Sequence, residues 1–411
     1  MRIDTVIAGA GQAAAQTALS LRQGGYQGTI AMIGEEDFPP YDRPPLSKDY
    51  LSGKREKERL FLRKPEAWSE RGVTLRLGRR VIQVVPERRQ ITLDDGATLD
   101  YGWLVWATGG RPRPLSCPGA NLEGVHAIRT LADIDRLKRD LQPSARIVII
   151  GGGYIGLETA AVLRSLGHQV VVIEAQSRLL ARVTSPIISR FFLDLHLSHG
   201  VEVRLDTAVA GLTGNVRVDG VKLDTGERLP ADIVIVGIGI LPNIEPLRDC
   251  GLSCPNGIEV DDHCRTPNPH ILAIGDCALH PNAFASGPVR LESVQNAIDQ
   301  AKTAASVIHG VPAPYNALPW FWSDQYNIKL QTAGLICDYD EVIVRGDPSS
   351  TPFTVAYLRA GRLIALDCAG AMKDFVQGKS LVQAQYRIDS ARFADATIEL
   401  KNLRADLTVD N

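Results

Sequence analysis

The 411-residue chain has no run of about 18 apolar residues, so it contains no candidate for a membrane-crossing helix. It also lacks an excess of either charge. Its 45 Lys and Arg against 47 Asp and Glu leave a formal net charge of −2, too little for a bulk field that attracts polyanions. Any electrostatic docking must therefore use a local patch. There is no CxxC, and the seven cysteines, at 117, 250, 254, 264, 277, 337 and 368, are an odd number. Cys250 and Cys254 bracket Gly251 at a spacing poor for either a metal site or a disulfide. The cysteines read as free buried thiols in a reducing cytoplasm. Charged tails and low-complexity segments are absent too, which leaves a globular chain long enough for two or three domains.

What the sequence does contain is glycine in two orderly places. IDTVIA (3–8) reads as a short buried strand, and GAGQAA (9–14) then opens a helical stretch that ends at Gly24-Gly25. A second strand, TIAMIG, leads to Glu35 and Glu36. The first nineteen residues could pass for a secretion signal, but strand, glycine turn and helix account for them better. The glycines Gly9 and Gly11 allow a tight turn and close backbone approach, and Ala14 stands where small size permits helix–strand packing. The helix N-terminus then offers N–H groups and a positive dipole end to a pyrophosphate. A carboxylate such as Glu35, about twenty residues on, suits a ribose hydroxyl.

The pattern recurs at 146–174, where RIVII precedes Gly151-Gly152-Gly153-Tyr154-Ile155-Gly156, a helix, and VVVIE. A lone glycine turn between strand and helix is weak evidence, whereas two complete units with their acids in place point to two dinucleotides, one resident and one visiting. Glu174 ends the second unit. A carboxylate there favours the 2′-hydroxyl of NADH and repels the 2′-phosphate of NADPH, although Arg178 lies close enough to blur the preference.

Three further strand ends follow in order: YGWLVWATGG (101–110), DIVIVGIGILPN (232–243) and ILAIGDCA (271–278). With YDRPPLSK, VWATGGRPRPL, GGGYIGLE, ESVQNAIDQA and PWFWSDQY, the whole chain resembles the FAD-dependent pyridine-nucleotide reductases of the glutathione-reductase fold. Within that group it resembles the NADH:ferredoxin reductases of bacterial oxygenase systems. The resemblance implies an α/β protein with two Rossmann-like dinucleotide-binding domains plus an α+β C-terminal domain. An FAD-binding domain would comprise 1–112 and 242–318, an NAD-binding domain 113–241, and the C-terminal domain 319–411. It implies FAD and NADH as cofactors and a transient, acidic 2Fe–2S ferredoxin as partner, with no nucleic acid and no membrane, in a monomer. The ferredoxin would feed a haem-thiolate monooxygenase. Alternatives are the reductase component of an aromatic-ring dioxygenase, or a rubredoxin reductase.

The resemblance also assigns residues. Gly9, Gly11, Ala14 and Glu35 would meet FAD, as would Ala107, Thr108 and Gly109 and, on the ribitol and pyrophosphate, Asp276. Gly151, Gly153, Tyr154, Ile155, Gly156, Glu174 and Gly239 would meet the nicotinamide dinucleotide. Arg129, Glu292, Ser293, Val294 and Trp320 complete the cofactor set. The stiff loop 39–51 would bring Arg43 and Pro44 to FAD and Lys48 to the flavin ring, paired with Glu158 as a tuning residue. Read alone, Lys48 is a solvated loop lysine, Tyr154 is a packing residue, and the Trp320–Trp322 cluster is an aromatic core. By likeness, Tyr154 covers the flavin and yields to nicotinamide, and the tryptophans face the partner. Basic residues Arg63, at the end of KREKERLFLRK, and Lys329 would dock the ferredoxin. Disulfide reductases of this fold carry a reactive thiol on the helix after the first glycine turn. Residues 12–60 contain no cysteine, so that chemistry is excluded. A quinone-reductase reading would need an amphipathic C-terminal helix, and KNLRADLTVDN is too short and mixed for one.

Overall fold

The computed structural model describes residues 2–404; most of the C-terminal tail (405–411), on which the quinone-reductase reading turns, lies outside them. Contacts divide the chain into two units. One contains 1–42, 57–111 and 241–319; the other contains 43–56, 112–240 and 320–411.

The first unit is built on a seven-stranded sheet. Strand Arg2–Ala8 pairs in parallel with Ile30–Ile33 on one side and Thr98–Trp106 on the other, setting Val6 beside Ala31 and Leu104. Val73–Arg76 extends the parallel edge, Ile271–Ala273 adds in parallel beyond Thr98–Trp106, and a hairpin of Val81–Val85 and Gln90–Leu93 closes the sheet antiparallel. Strands Ile30–Ile33 and Ile271–Ala273 are apolar on both faces because both faces are covered. Helix Gln12–Gln23 lies against helix Val294–Ile308 through alanines on both, Ala14 and Ala18 from the first and Ala301 and Ala304 from the second, all fully buried. Small side chains let the two helices come close over one core.

The second unit holds a five-stranded parallel sheet in the order Glu202–Arg204, Gln169–Ile173, Arg146–Ile150, Ile233–Val236, Val125–Ala127. Helix Tyr154–Ser165 covers it. A Cβ at Gly156 would lie 2.1 Å from the carbonyl oxygen of Gly151, so only glycine lets this helix seat on its own turn. The same unit carries a five-stranded antiparallel sheet. It runs Trp320–Gln325, Ile328–Gly334, Arg362–Ala369, Phe353–Arg359, Glu341–Arg345, followed by helices Met372–Gln383 and Ser390–Ala394. Arg345 ties the last segments down. Its guanidinium is 7% exposed, pairs with Asp374 at 3.0 Å, and donates to the carbonyls of Phe393 and Ile398.

Segment 43–56 groups by contacts with the second unit, where its polar side chains find partners. Tyr50 donates to Asp135, Lys138 stands over the Tyr50 ring at 3.9 Å, and Arg43 donates to the Arg129 carbonyl at 2.6 Å.

Candidate functional site

In the first unit, Gly9 has φ +114°, and a Cβ on it would stand 2.2 Å from the carbonyl oxygen of Ala107. The first glycine turn and the Ala107–Gly109 turn therefore touch backbone to backbone. Gly11 is the N-cap of helix Gln12–Gln23; no side chain caps it, and a Cβ there would meet only open space. An uncapped helix start behind an open cradle fits a dinucleotide pyrophosphate. Ala14 is fully buried, so its part in the motif is packing. Glu35 is exposed and faces Arg80 at 3.7 Å, while its neighbour Glu36 accepts a 2.7 Å bond from Tyr41.

Two residues that sequence reasoning did not single out shape this cradle. The Asn243 carbonyl accepts from Thr108 at 2.7 Å and from the Trp106 indole at 2.8 Å, and its amide donates back to the Thr108 carbonyl. The PN that ends GIGILPN was the available signal. Arg290 donates to the Asp276 carbonyl at 2.9 Å and pairs with Glu292 at 2.7 Å, and nothing in the pattern announced it. Gly275 accommodates this turn between two helices, where its Cβ position is 3.3 Å from Ala13 and 3.8 Å from Ala297. Ser293 caps the second of these helices, accepting from Asn296 N–H, and Val294 is that helix's first residue.

In the second unit, Gly153 repeats the role of Gly11. It is the N-cap of helix Tyr154–Ser165, without a side-chain cap and with open space where a Cβ would be. Gly151 approaches the carbonyl of Gly237 as Gly9 approaches Ala107, at 2.4 Å for the Cβ position. Ile155 is 43% exposed on the first turn of the helix. Glu174 accepts from Gly152 N–H at 2.7 Å through one oxygen and from Gln176 N–H at 2.8 Å through the other. It thus fastens the glycine turn, and a carboxylate has lone pairs left for a ribose hydroxyl. Arg178 points elsewhere, since its guanidinium donates to the carbonyls of Thr184 and Ala181 and to the Ser189 hydroxyl. Gly239 has φ +99° and is exposed, and its carbonyl accepts from Arg113 N–H at 2.9 Å.

Within the same unit the Lys48–Glu158 pair is present, at 2.6 Å, with Lys48 17% exposed and Glu158 2%. Glu158 is a buried carboxylate with three donors. Lys48 and Ser47 approach one oxygen and Ser323 the other, the serines at 2.7 Å. The serines were missed, although both adjoin motif residues, in PPLSK and PWFWS. Pro44 and Pro45 begin the 3₁₀ turn that sets Ser47 and Lys48 in place. One turn before Glu158 on its helix, the Tyr154 ring packs against Phe321 at a 41° tilt, with ring centroids 4.6 Å apart. Trp320, Phe321 and Trp322 are half-buried rather than core; Trp320 lies 5.5 Å from Trp322 and beneath the Lys379 ammonium at 5.1 Å. Lys329 is 46% exposed and stands 3.4 Å from Asp324, directly across the strand pair. Arg63, in the other unit, is exposed.

The seven cysteines are all free; Cys264, Cys277 and Cys368 are buried and the others half-buried. Burial pushes the thiols of Cys254 and Cys277 up to about 11, so neither is a thiolate at neutral pH. No helix among the described residues is long and apolar enough to cross a membrane.

Comparison with known proteins agrees with this geometry. The family model described as pyridine nucleotide-disulphide oxidoreductase matches residues 3–301, and the one described as reductase C-terminal matches residues 320–404. A 5,5'-dehydrodivanillate O-demethylase ferredoxin reductase subunit from Sphingobium sp. (strain NBRC 103272 / SYK-6) is 50% identical over 98% of each chain. The putidaredoxin reductase of Pseudomonas putida is 40% identical over 98% of this chain and 97% of its own. Among solved structures, the reductase in a covalent putidaredoxin reductase–putidaredoxin complex superposes with a TM-score of 0.96 at 39% identity, covering 99% of each chain. With two glycine cradles shaped for FAD and NAD(P)H and a reductase C-terminal domain after them, the chain belongs to the FAD-dependent pyridine nucleotide-disulphide oxidoreductase family, among the ferredoxin reductases.

Proposed function

We propose that this protein is an NADH:ferredoxin reductase that passes electrons singly to a 2Fe–2S ferredoxin. The observation that carries the proposal is the pair of uncapped glycine turns combined with the absence of any cysteine at 12–60. Bound FAD would supply the chemistry that joins two-electron hydride acceptance to one-electron release. The chain's own contribution is orientation and charge. The first turn holds the FAD pyrophosphate, with Asp276 and the Ala107–Gly109 turn beside it, and the second turn holds that of the nicotinamide dinucleotide. Glu174 reads the 2′-hydroxyl. Because Arg178 is spent on backbone carbonyls, no cation from it answers a 2′-phosphate, which supports NADH over NADPH. Lys48, backed by Glu158, tunes the flavin electrostatically; no side chain needs to act as nucleophile. Residues 1–112 with 242–318 serve FAD, 113–241 serve NADH, and 319–411 serve the partner.

We further propose that the ferredoxin is acidic and transient, docks near Arg63 and Lys329 and the Trp320–Trp322 surface, and supplies a haem-thiolate monooxygenase. The 40% identity to putidaredoxin reductase supports a ferredoxin as the partner. The 50% identity to an O-demethylase ferredoxin reductase subunit supports a second reading, a demethylating oxygenase. The test is anaerobic NADH oxidation by the FAD-loaded protein with an acidic 2Fe–2S ferredoxin, run beside oxidised glutathione and a short-chain quinone. Ferredoxin reduction with inert glutathione and quinone is expected. A ferredoxin that stays oxidised while another acceptor turns over overturns the partner assignment.

A further inference from the structure

Strand Trp320–Gln325 turns two polar side chains inward. Ser323 and Gln325 stand two residues apart, so they share one face of the strand, and both are fully buried. Asp324, between them, faces the other way and pairs with Lys329 at 3.4 Å. Ser323 donates to Oε1 of Glu158 at 2.7 Å and lies 3.2 Å from the amide nitrogen of Gln325. The amide oxygen of Gln325 lies 2.8 Å from Nε2 of His196. His196 comes from helix Pro186–Ser198 and is itself fully buried, and its Nδ1 has no hydrogen-bond partner among the described residues. Buried side chains from two helices and a strand thus form one hydrogen-bonded chain, which ends on the acid paired with Lys48.

The carboxylate gives this chain a single direction. An ionised carboxyl only accepts, so the one hydroxyl proton of Ser323 goes to Glu158. Ser323 then accepts from Gln325, whose amide turns its NH2 toward the serine and its oxygen toward His196. An amide oxygen only accepts, so His196 donates from Nε2. Burial pushes the imidazole down to about 4, so at neutral pH the ring carries that one N–H and Nδ1 is bare. Without the His196 donor, the Gln325 amide is free to turn over and to offer Ser323 a second acceptor in competition with Glu158.

We propose that His196 and Gln325 are positioning residues for the Lys48–Glu158 pair: they keep the Ser323 hydroxyl on Glu158, where its positive end offsets part of the carboxylate charge. The proposal rests on the reading of that pair as facing the flavin. Lys48 and Ser47 approach Oε2, and among the described residues only the Ser323 hydroxyl reaches Oε1. Once that donor is lost, the acid cancels more of the Lys48 field. A flavin that gains negative charge on reduction is then less stabilised.

Spectroelectrochemical titration of the FAD-loaded full chain tests this. Ser323→Ala should lower the flavin midpoint potential by about threefold in the two-electron equilibrium, about 14 mV. Ser323→Thr keeps the hydroxyl and should restore the unaltered value. His196→Phe should shift the potential the same way by less. In a Glu158→Gln background neither Ser323→Ala nor His196→Phe should shift it further, because the charge they act on is gone. If His196→Phe fails to fold, the serine variants decide the question alone. Independently, the imidazole nitrogen spectrum of the unaltered chain with ¹⁵N-labelled histidine, assigned by the signal that His196→Asn removes, should show Nε2 protonated and Nδ1 bare. An unchanged or raised potential in Ser323→Ala, a shift that persists with Glu158→Gln, or a proton on Nδ1 would each overturn the proposal. If Glu158→Gln by itself leaves the potential where it was, the reading of the pair as flavin-facing falls, and the proposal falls with it. If Glu158→Gln raises the potential and Ser323→Ala changes nothing, only the proposal falls.

Discussion

Glu158 illustrates how much a single buried carboxylate depends on its donors. Its oxygens accept from Ser47, Ser323 and Lys48, and the lysine remains 17% exposed. The acid offsets most of the lysine's field, so the two residues should act on a nearby flavin with opposite signs. Lys48→Met should lower the flavin midpoint potential and Glu158→Gln should raise it, each by on the order of 30 mV, about tenfold in a two-electron equilibrium. A spectroelectrochemical titration of the three proteins decides the matter. Shifts of the same sign would place Lys48 away from the ring. Glu174 invites a second substitution. Glu174→Gln keeps an oxygen for the Gly152 N–H but removes the charge that repels a 2′-phosphate. The preference for NADH over NADPH, measured as the ratio of kcat/KM values, should fall about tenfold. An unchanged ratio would mean that another group reads the ribose.

Among the elements, those that carry the cofactor turns were the most legible in the sequence. Short buried strands, glycine turns and small-residue helices are local patterns, and helix Gln12–Gln23 ends at Gly24 as the glycine pair predicts. What stayed hidden was set by tertiary contact. The attachment of 43–56 depends on Asp135, Lys138 and the Arg129 carbonyl, all far away in sequence. Ser323 reaches Glu158 across 165 residues. The aromatic nature of 320–322 was plain, but its half-exposure depends on which sheet face is covered. Helix Pro186–Ser198 shows a similar long-range tie. His196, fully buried, bonds the Gln325 side chain at 2.8 Å, and burial pushes its imidazole down to about 4. The unfolded chain takes up a proton near pH 6.5 and the native one does not, so this stabilisation is present above pH 6.5 and is lost as pH falls toward 4. His196→Asn should therefore be less stable than the unaltered protein at pH 7.5, with the gap closing by about 2–3 kcal/mol at about pH 4.5. Denaturant titrations at both pH values give the gap; one that stays constant would mean that His196 titrates freely in the native state.

For the whole molecule, near-neutral charge makes partner capture a local matter. A net charge of −2 neither attracts nor repels an acidic carrier strongly, so any steering must arise from patches. The two candidate cations differ in their surroundings. Arg63 donates from its side chain to the neighbouring Leu62 carbonyl, whereas Lys329 stands 3.4 Å from Asp324 and has part of its field cancelled. If both serve docking, opposite changes follow at low salt. Arg63→Glu should lower kcat/KM for an acidic 2Fe–2S ferredoxin several-fold, and Asp324→Asn, which releases Lys329, should raise it. Both differences should shrink as ionic strength passes about 0.15 M, where the screening length falls to about 8 Å. The rate at which NADH bleaches the flavin should stay the same in both variants, because hydride delivery does not involve the partner surface. Stopped-flow measurement at two salt concentrations separates the steps. A salt-independent loss in Arg63→Glu would point to a local folding defect, and no loss at all would remove Arg63 from the docking surface.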